Sequence, residues 1–234
     1  MTGTDGRLAR EALAELLAMM QREERPVTEL MPVARLLGQE NRMALAYWRE
    51  RLRELPIPPD RPLESRLTAR SDGFLALGLS RTSIADLSPL TGMPLADFRL
   101  NACPEIKTII ALRELLLRNL ELEVTAVADL TPVRGMKLES LVLKGTRVTD
   151  LTPLAGQPLE KIHFDSVEVT DLSPLLQCPT LRWVVPPKSA REVIQLKALP
   201  NLQRISYNWR EDSEPAESAD EFWRKIESAR PPAR

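Results

Sequence analysis

The sequence contains little of what most catalytic and metal sites are built from. Its 234 residues include one histidine, two cysteines and nine glycines. His163 has no second histidine and no cysteine at metal-ligand spacing. The glycines form no phosphate-binding loop, and the H-R-D and D-F-G triplets of protein kinases are absent. We therefore predict a protein that is not an enzyme and that uses neither a metal nor a cofactor.

The charge balance and the short apolar runs exclude further classes. Lys and Arg number 32 and Asp and Glu 33, so the net charge of -1 gives no electrostatic reason for nucleic-acid or membrane binding. No apolar run reaches the roughly 18 residues of a membrane span, and residues 1–10 lack the regions of a signal peptide. Cys103 and Cys178 are far apart, and we expect reduced thiols rather than a disulfide. These features predict a cytoplasmic protein.

Aromatic residues are also scarce, at 4% of the chain, whereas leucine and proline are abundant. Several of the 20 prolines recur in one motif, D-L-[S/T]-P-[L/V]. Its aspartates are Asp86, Asp129, Asp150 and Asp171, and the last three are spaced 21 residues apart. The longer gap after Asp86 contains one degenerate copy, with Thr108 at the aspartate position. The chain is therefore periodic from residue 74 onward.

A second element begins nine positions after each aspartate and reads L-x-x-L-x-L or a close variant. Its alternation predicts a short strand whose leucines face one way and whose x residues face the other. One such unit cannot bury its leucines alone, but stacked units bury them in a continuous column. We count seven strand-forming segments, whose first apolar residues are Phe74, Leu95, Leu117, Leu138, Leu159, Leu181 and Leu202.

The proline motif is expected to turn the chain on the opposite side of the array. Its aspartate can accept a free backbone N–H of a short helical turn, and proline at the start of that turn breaks no hydrogen bond. A unit of about 21 residues leaves room for a 3₁₀ turn but not for a long helix. Asp86, Asp129, Asp150 and Asp171 are therefore predicted to be structural turn caps rather than calcium ligands.

The combined pattern T-x-V-x-D-L-[S/T]-P-L-x-G-x-P-L resembles the short bacterial leucine-rich repeats of the internalin-like group. The resemblance covers residues 74–208. It implies an α/β leucine-rich-repeat solenoid, with short parallel strands on the concave face and short turns on the convex face. Segments 199–205 and 219–226 also resemble the C-terminal end of arrays that sometimes follow bacterial serine/threonine kinase domains.

Helical segments are predicted before the array. Apolar residues at helical spacing predict helices over 1–24, 29–37 and 39–55, which together make a helical N-terminal region, 1–55. The apolar face of the third helix is expected to cover the first repeat or, alternatively, to serve as a dimerisation or docking element. A homodimer would then form through the N-terminal helices. Residues 56–73 are rich in proline and are predicted to be a stiff linker or an N-terminal cap.

The C-terminal end is predicted to close the array. Capping boxes at 189–192 and 218–221 predict two helices. The second helix belongs to a C-terminal cap and tail, 209–234, which would cover the last leucines.

The residues that do not repeat are the candidate binding surface. Val142, His163, Trp183 and Val185 are x residues, and they form an apolar and aromatic stripe over adjacent strands. A tryptophan exposed beside valines is typical of a protein-binding hot spot. Alternatively, Pro186-Pro187 or the tail folds over Trp183. The predicted partner-binding residues of the concave face are Arg99, Glu121, Val142, Lys161, His163, Trp183 and Val185.

The array and the missing catalytic groups together predict a non-catalytic scaffold. Solenoids present extended concave surfaces, so we expect a protein partner rather than a small substrate. The resemblance to kinase-associated arrays gives the alternative function. In that case the chain is the regulatory or sensor portion of a bacterial signalling system whose catalytic domain lies elsewhere.

Overall fold

A computed structural model describes residues 40–190, 192–207 and 215–228, together with isolated positions before residue 33. Most residues of the helices predicted over 1–24 and 29–37 lie outside the described residues. The homodimer contact assigned to the N-terminal helices therefore stays a prediction.

One sheet of eight strands forms the centre of the described structure, and its strands follow chain order. The first pair is antiparallel and every later pair is parallel. The later strands are in step, so that Asn119, Ser140, Lys161 and Trp183 lie opposite one another on neighbouring strands. The strands are β1 (Leu67–Ala69), β2 (Leu75–Gly78), β3 (Leu95–Arg99), β4 (Asn119–Glu121), β5 (Ser140–Val142), β6 (Lys161–His163), β7 (Trp183–Val185) and β8 (Arg204–Ile205).

The repeating apolar residues make one continuous core behind this sheet. Leu120, Leu141, Ile162 and Val184 stack in register across β4 to β7, and none is more than 2% exposed. Each such burial contributes about 1.5–3 kcal/mol. The predicted α/β solenoid, with short parallel strands and a stacked leucine core, is confirmed.

Short 3₁₀ helices return the chain on the convex side. In all four complete motifs the aspartate Oδ1 accepts the backbone N–H two residues later, at 2.7 to 2.8 Å. In the degenerate repeat Thr108 Oγ1 accepts the N–H of Ile110 at 3.3 Å, so the turn survives without an aspartate. The 3₁₀ helices are Ser88–Leu90, Ile110–Leu112, Thr131–Val133, Thr152–Leu154, Ser173–Gln177 and Val193–Ala198.

The N-terminal edge of the sheet is covered by helix α1 (Glu40–Arg51), which buries Ala44 and Trp48 in the core. The helix ends at Arg51, before the predicted end at residue 55. Pro56 cannot support a continuing helix, and its effect reaches the residues before it. Leu52, just beyond the helix, is fully buried.

Helix α2 (Leu63–Arg66) and strand β1 follow within the segment 56–73. Strand β1 forms an antiparallel hairpin with β2, in which Arg70 N–H donates to the Phe74 carbonyl at 2.8 Å. Strand β1 was not predicted from the sequence, because a strand of three residues is too short to show alternation.

The C-terminal edge is closed by helix α3 (Ala219–Ser228), which buries Phe222 and Trp223. The predicted capping box is formed. Ser218 N–H donates to Glu221 Oε2 at 3.0 Å, and Glu221 N–H donates to Ser218 Oγ at 3.3 Å.

The other predicted capping box, at 189–192, is wrong. The segment after it is the 3₁₀ helix Val193–Ala198, and no side-chain hydrogen bond caps its start at Glu192. This helix occupies the convex position that the earlier 3₁₀ turns occupy, and it packs against the turn Ser173–Gln177. The short turns of the array therefore extend into this segment, where a helix with a capping box was predicted.

Candidate functional site: the concave face

Two rows of side chains cross the concave face, one from each outward position of the strands. The first row is Ala76, Asp97, Asn119, Ser140, Lys161, Trp183 and Arg204. The second row is Gly78, Arg99, Glu121, Val142, His163 and Val185. The seven predicted partner-binding residues all belong to these rows, but the structure exposes only some of them.

Trp183 and Lys161 lie side by side in the first row. The Lys161 Nζ is 4.0 Å from the centroid of the Trp183 ring, and Lys161 itself is exposed. A cation over an aromatic face is attracted by the ring quadrupole, by about 0.5–1 kcal/mol at an exposed site. Trp183 remains half-buried, so part of its ring stays open to solvent.

His163 and Val185 are buried, which corrects the expectation that both side chains are exposed. Val185 is 3% exposed and His163 is 5% exposed. They lie opposite each other on β6 and β7, where strands about 4.8 Å apart let neighbouring side chains shield one another. Of the two valines in that row, only Val142 remains partly exposed. The apolar stripe predicted from the sequence is therefore narrower than expected.

The imidazole of His163 is held by a carboxylate of its own loop. Its Nε2 is hydrogen-bonded to Asp165 Oδ1. Burial lowers the pKa of His163 below its usual range, and the nearby charge of Asp165 opposes this shift. Because the ring is buried and engaged, it is poorly placed to contact a partner directly.

Arg99 and Glu121 form an ion pair in the second row. Arg99 Nε lies 3.0 Å from Glu121 Oε1, and the Arg99 side chain is 64% exposed. Asn101 Nδ2 donates to Glu121 Oε2 at 2.7 Å, which fixes the carboxylate from the other side. Both predicted residues reach the surface, but Glu121 is already engaged within the chain.

A charged cluster that the sequence analysis missed lies at the N-terminal end of the face. Arg70, at the end of the β1–β2 hairpin, is ion-paired with Asp72 at 3.0 Å and also with Asp97. Asp97 also accepts a hydrogen bond from Asn119, and Asp72 forms a second ion pair with Arg118 at 3.3 Å. Hydrogen bonding from Arg70 lowers the pKa of Asp72. Arg70 lies outside the periodic part, so no repeat position pointed to it.

The turn aspartates lie away from this face, on the convex side. Hydrogen bonds from Ser88, Thr131 and Ser173 lower the pKa values of Asp86, Asp129 and Asp171 respectively. Within the described ranges, no three His, Cys, Asp or Glu side chains come together in a way that could hold a metal ion. The assignment of these aspartates to turn capping rests on their hydrogen bonds alone.

Comparison with known proteins gives matches only at the level of structure. No protein-family model matches the chain, and no curated protein matches its sequence. Two crystal structures of internalins from Listeria monocytogenes are similar to it. Internalin C2 is 29% identical over 55% of this chain, with a TM-score of 0.50, and internalin F is 25% identical over 58%, with a TM-score of 0.52.

The array is a leucine-rich-repeat solenoid. Its period, its parallel strands and its internalin neighbours agree on this point. The matches span 59% of internalin C2 and 42% of internalin F. The resemblance noted in the sequence is thus confirmed for the leucine-rich repeats, and the fold suggests a protein-interaction scaffold.

The leucine-rich-repeat chain has two further features that bear on its surroundings. Cys103 and Cys178 are both free and buried, each with its thiol close to a backbone carbonyl of the preceding repeat. Over the described part of the chain, no helix combines the length and the apolar character needed to cross a bilayer.

Proposed function

We propose that this protein is a non-catalytic scaffold that binds a protein partner through the concave face of its leucine-rich repeats. The observation that carries the proposal is the half-buried Trp183 with Lys161 over its ring. Tryptophan side chains in a protein interface supply much of its binding energy. The internalin-like fold supports the same class of function.

The residues that carry binding are proposed to be a subset of those predicted from the sequence. Trp183, Lys161 and Val142 offer exposed surface on adjacent strands, and Arg99 offers exposed charge. His163 and Val185, which are buried beside this surface, are proposed to support it rather than to contact the partner. The regulatory role in a kinase-associated signalling system stays a prediction, because no contact in the structure bears on it.

We also propose a reducing, cytoplasmic setting. Two buried thiols that are not joined to each other support this proposal, since oxidising compartments favour disulfides.

The test is affinity capture with quantitative mass spectrometry on three forms of the chain. Wild type is compared with Trp183→Ala and with Leu116→Ala, which removes a more exposed apolar side chain on a different surface. We expect a set of proteins retained by wild type and by Leu116→Ala but depleted at least tenfold by Trp183→Ala, which corresponds to about 1.4 kcal/mol. Equal retention by Trp183→Ala, with an unchanged melting temperature, contradicts the proposal.

A further inference from the structure

We propose that the N-terminal end of the concave face is a carboxylate-binding pocket that receives an acidic side chain of the protein partner. This inference rests on the proposed function and names the chemistry of the partner's surface. It starts from a depression of about 540 Å³ above β2, between the hairpin and β3. A volume of this size is within the range of ligand pockets, about 300–1,000 Å³.

The floor of the pocket is open because two outward positions of β2 carry almost no side chain. Ala76 and Gly78 occupy the outward positions of β2, where the later strands carry Lys, Trp or Glu. A Cβ added at Gly78 would meet no atom within 4 Å. The space over β2 is thus open, and it is bordered by polar and charged side chains.

Three guanidinium groups border the pocket, from Arg61, Arg66 and Arg99. Arg66 is fixed in place by backbone carbonyls. Its Nε donates to Arg61 at 2.6 Å, and its Nη1 donates to Gly78 at 3.1 Å and to Ser80 at 3.0 Å. Among the described residues, no carboxylate pairs with Arg66. The positive charge of Arg66 therefore lies at the pocket wall and is stabilised by the dipoles of these backbone carbonyls.

The other two arginines leave donors available. Arg99 uses its Nε for Glu121, and its exposed terminal nitrogens are not part of that contact. Among the described residues, no hydrogen bond or ion pair involves the side chain of Arg61, whose backbone carbonyl accepts from Arg66. Planar guanidinium groups with free N–H pairs match the two oxygens of a carboxylate.

Among the described residues that border the pocket, one is acidic, and it is already paired. Asp97 is ion-paired with Arg70 and accepts a hydrogen bond from Asn119. Three arginines and one aspartate therefore line the space, and Glu121, which pairs with Arg99, reduces this excess of positive charge without cancelling it. Local excess charge of this kind attracts an oppositely charged group and steers its approach.

The pocket opens on the concave face, to which we assign a protein partner. A carboxylate of that partner is therefore favoured over a carboxylate of a free small molecule. An Asp or Glu side chain on an extended partner segment reaches the pocket while its neighbours lie along the concave face. A free dicarboxylate has the same chemistry but gains nothing from that face.

The experiment measures binding of a fluorescein-labelled hexaglutamate peptide by anisotropy at about 50 mM salt, where surface charges are weakly screened. We expect saturable binding that weakens at higher salt. Arg61→Gln should weaken it about tenfold. Arg113→Gln, a change of the same kind at an exposed arginine on the convex side, should leave it unchanged. Melting curves of both variants should match that of wild type, since neither side chain is buried.

Three outcomes overturn the inference. They are no binding of the peptide by wild type, equal loss in Arg61→Gln and Arg113→Gln, or displacement of the peptide by free glutarate at equal carboxylate concentration. The last result would assign the pocket to a small molecule. Trp183→Ala is expected to leave hexaglutamate binding intact. A failure here is therefore distinguishable from a failure of the proposed function, which depends on Trp183.

Discussion

Val124 and Gly145 occupy the same position in consecutive repeats, and both have a positive φ, of 54° and 65°. Glycine adopts this conformation without a steric penalty, whereas a β-branched residue there is strained. Arg81, Ala102 and Ser166 take the left-handed conformation as well, so the turn geometry is imposed by the repeat and not by the local residue.

The first prediction follows from this pair. Val124→Gly should raise the free energy of unfolding by about 1 kcal/mol, because relief of strain exceeds the entropy that glycine adds to the unfolded chain. Val124 is 51% exposed, so little packing is lost. Gly145→Ala is the reciprocal change and should cost about 1 kcal/mol. Urea denaturation measures both, and a loss of stability in Val124→Gly similar to that in Gly145→Ala would show that the backbone is not strained.

The second prediction concerns the leucine column. Leu143 is fully buried, and Leu143→Asp would place a carboxylate among apolar side chains. Its cost should exceed about 4 kcal/mol, enough to unfold the array at room temperature. Lys137→Asp introduces the same group at an exposed position and should change stability by less than about 0.5 kcal/mol. Circular dichroism melting separates these results, and an unchanged melt of Leu143→Asp would refute the register.

The third prediction concerns a buried amide that joins two repeats. Gln157 Oε1 accepts the Leu138 N–H at 3.2 Å, while its Nε2 donates to the carbonyls of Val133 and Pro153 at 3.0 and 3.1 Å. Gln157→Leu leaves these backbone groups without their partner and should cost about 1–3 kcal/mol.

Gln177→Leu is the control for this change, because Gln177 is exposed at the end of a 3₁₀ helix. It should alter stability by less than about 0.5 kcal/mol. Chemical denaturation of the two variants measures the free energy of unfolding of each and compares it with that of wild type. Equal midpoints would mean that Gln157 fills space without supporting the backbone.

The fourth prediction concerns acid stability. Hydrogen bonds lower the folded-state pKa values of Asp86, Asp129 and Asp171. A lowered folded pKa gives stability that is fully present above the unfolded value of roughly 3.9 and is lost as the pH falls through the folded value. The melting temperature should therefore drop below about pH 4 as these carboxylates take up protons.

The triple variant Asp86→Asn, Asp129→Asn and Asp171→Asn keeps a side-chain acceptor at each turn but removes the titration. Its melting temperature should depend less steeply on pH in the acid range than that of wild type. An identical acid profile in both proteins would mean that other carboxylates cause the loss.

The repeat was predictable because its signals are local. The fixed distance between the aspartate and the leucines determines where the strand lies, where the turn lies and which side chains are buried. This relation is the same in every complete copy of the motif. The burial of His163 and Val185 was not predictable in this way. It depends on which side chains lie opposite them on neighbouring strands, and on how closely the strands approach.

The cluster around Arg70 was missed for a different reason. Arg70 is carried by a short antiparallel hairpin that precedes the repeats, so no periodic pattern includes it. Its partners Asp72 and Asp97 are brought to it by the pairing of β1, β2 and β3. Pairing between an irregular hairpin and a regular array is a tertiary feature, and single-sequence periodicity does not report it.

Because the strands stack in register, the number of strands between two residues gives the distance between them along the concave face. The space above Gly78 is on β2 and Trp183 is on β7, five strand spacings away, or about 24 Å at 4.8 Å per strand. An extended chain advances about 3.4 Å per residue, so a ligand needs roughly seven residues to touch both places at once. A shorter peptide can occupy one end only, and a peptide whose acidic and apolar residues are spaced much more closely gains no avidity from the second.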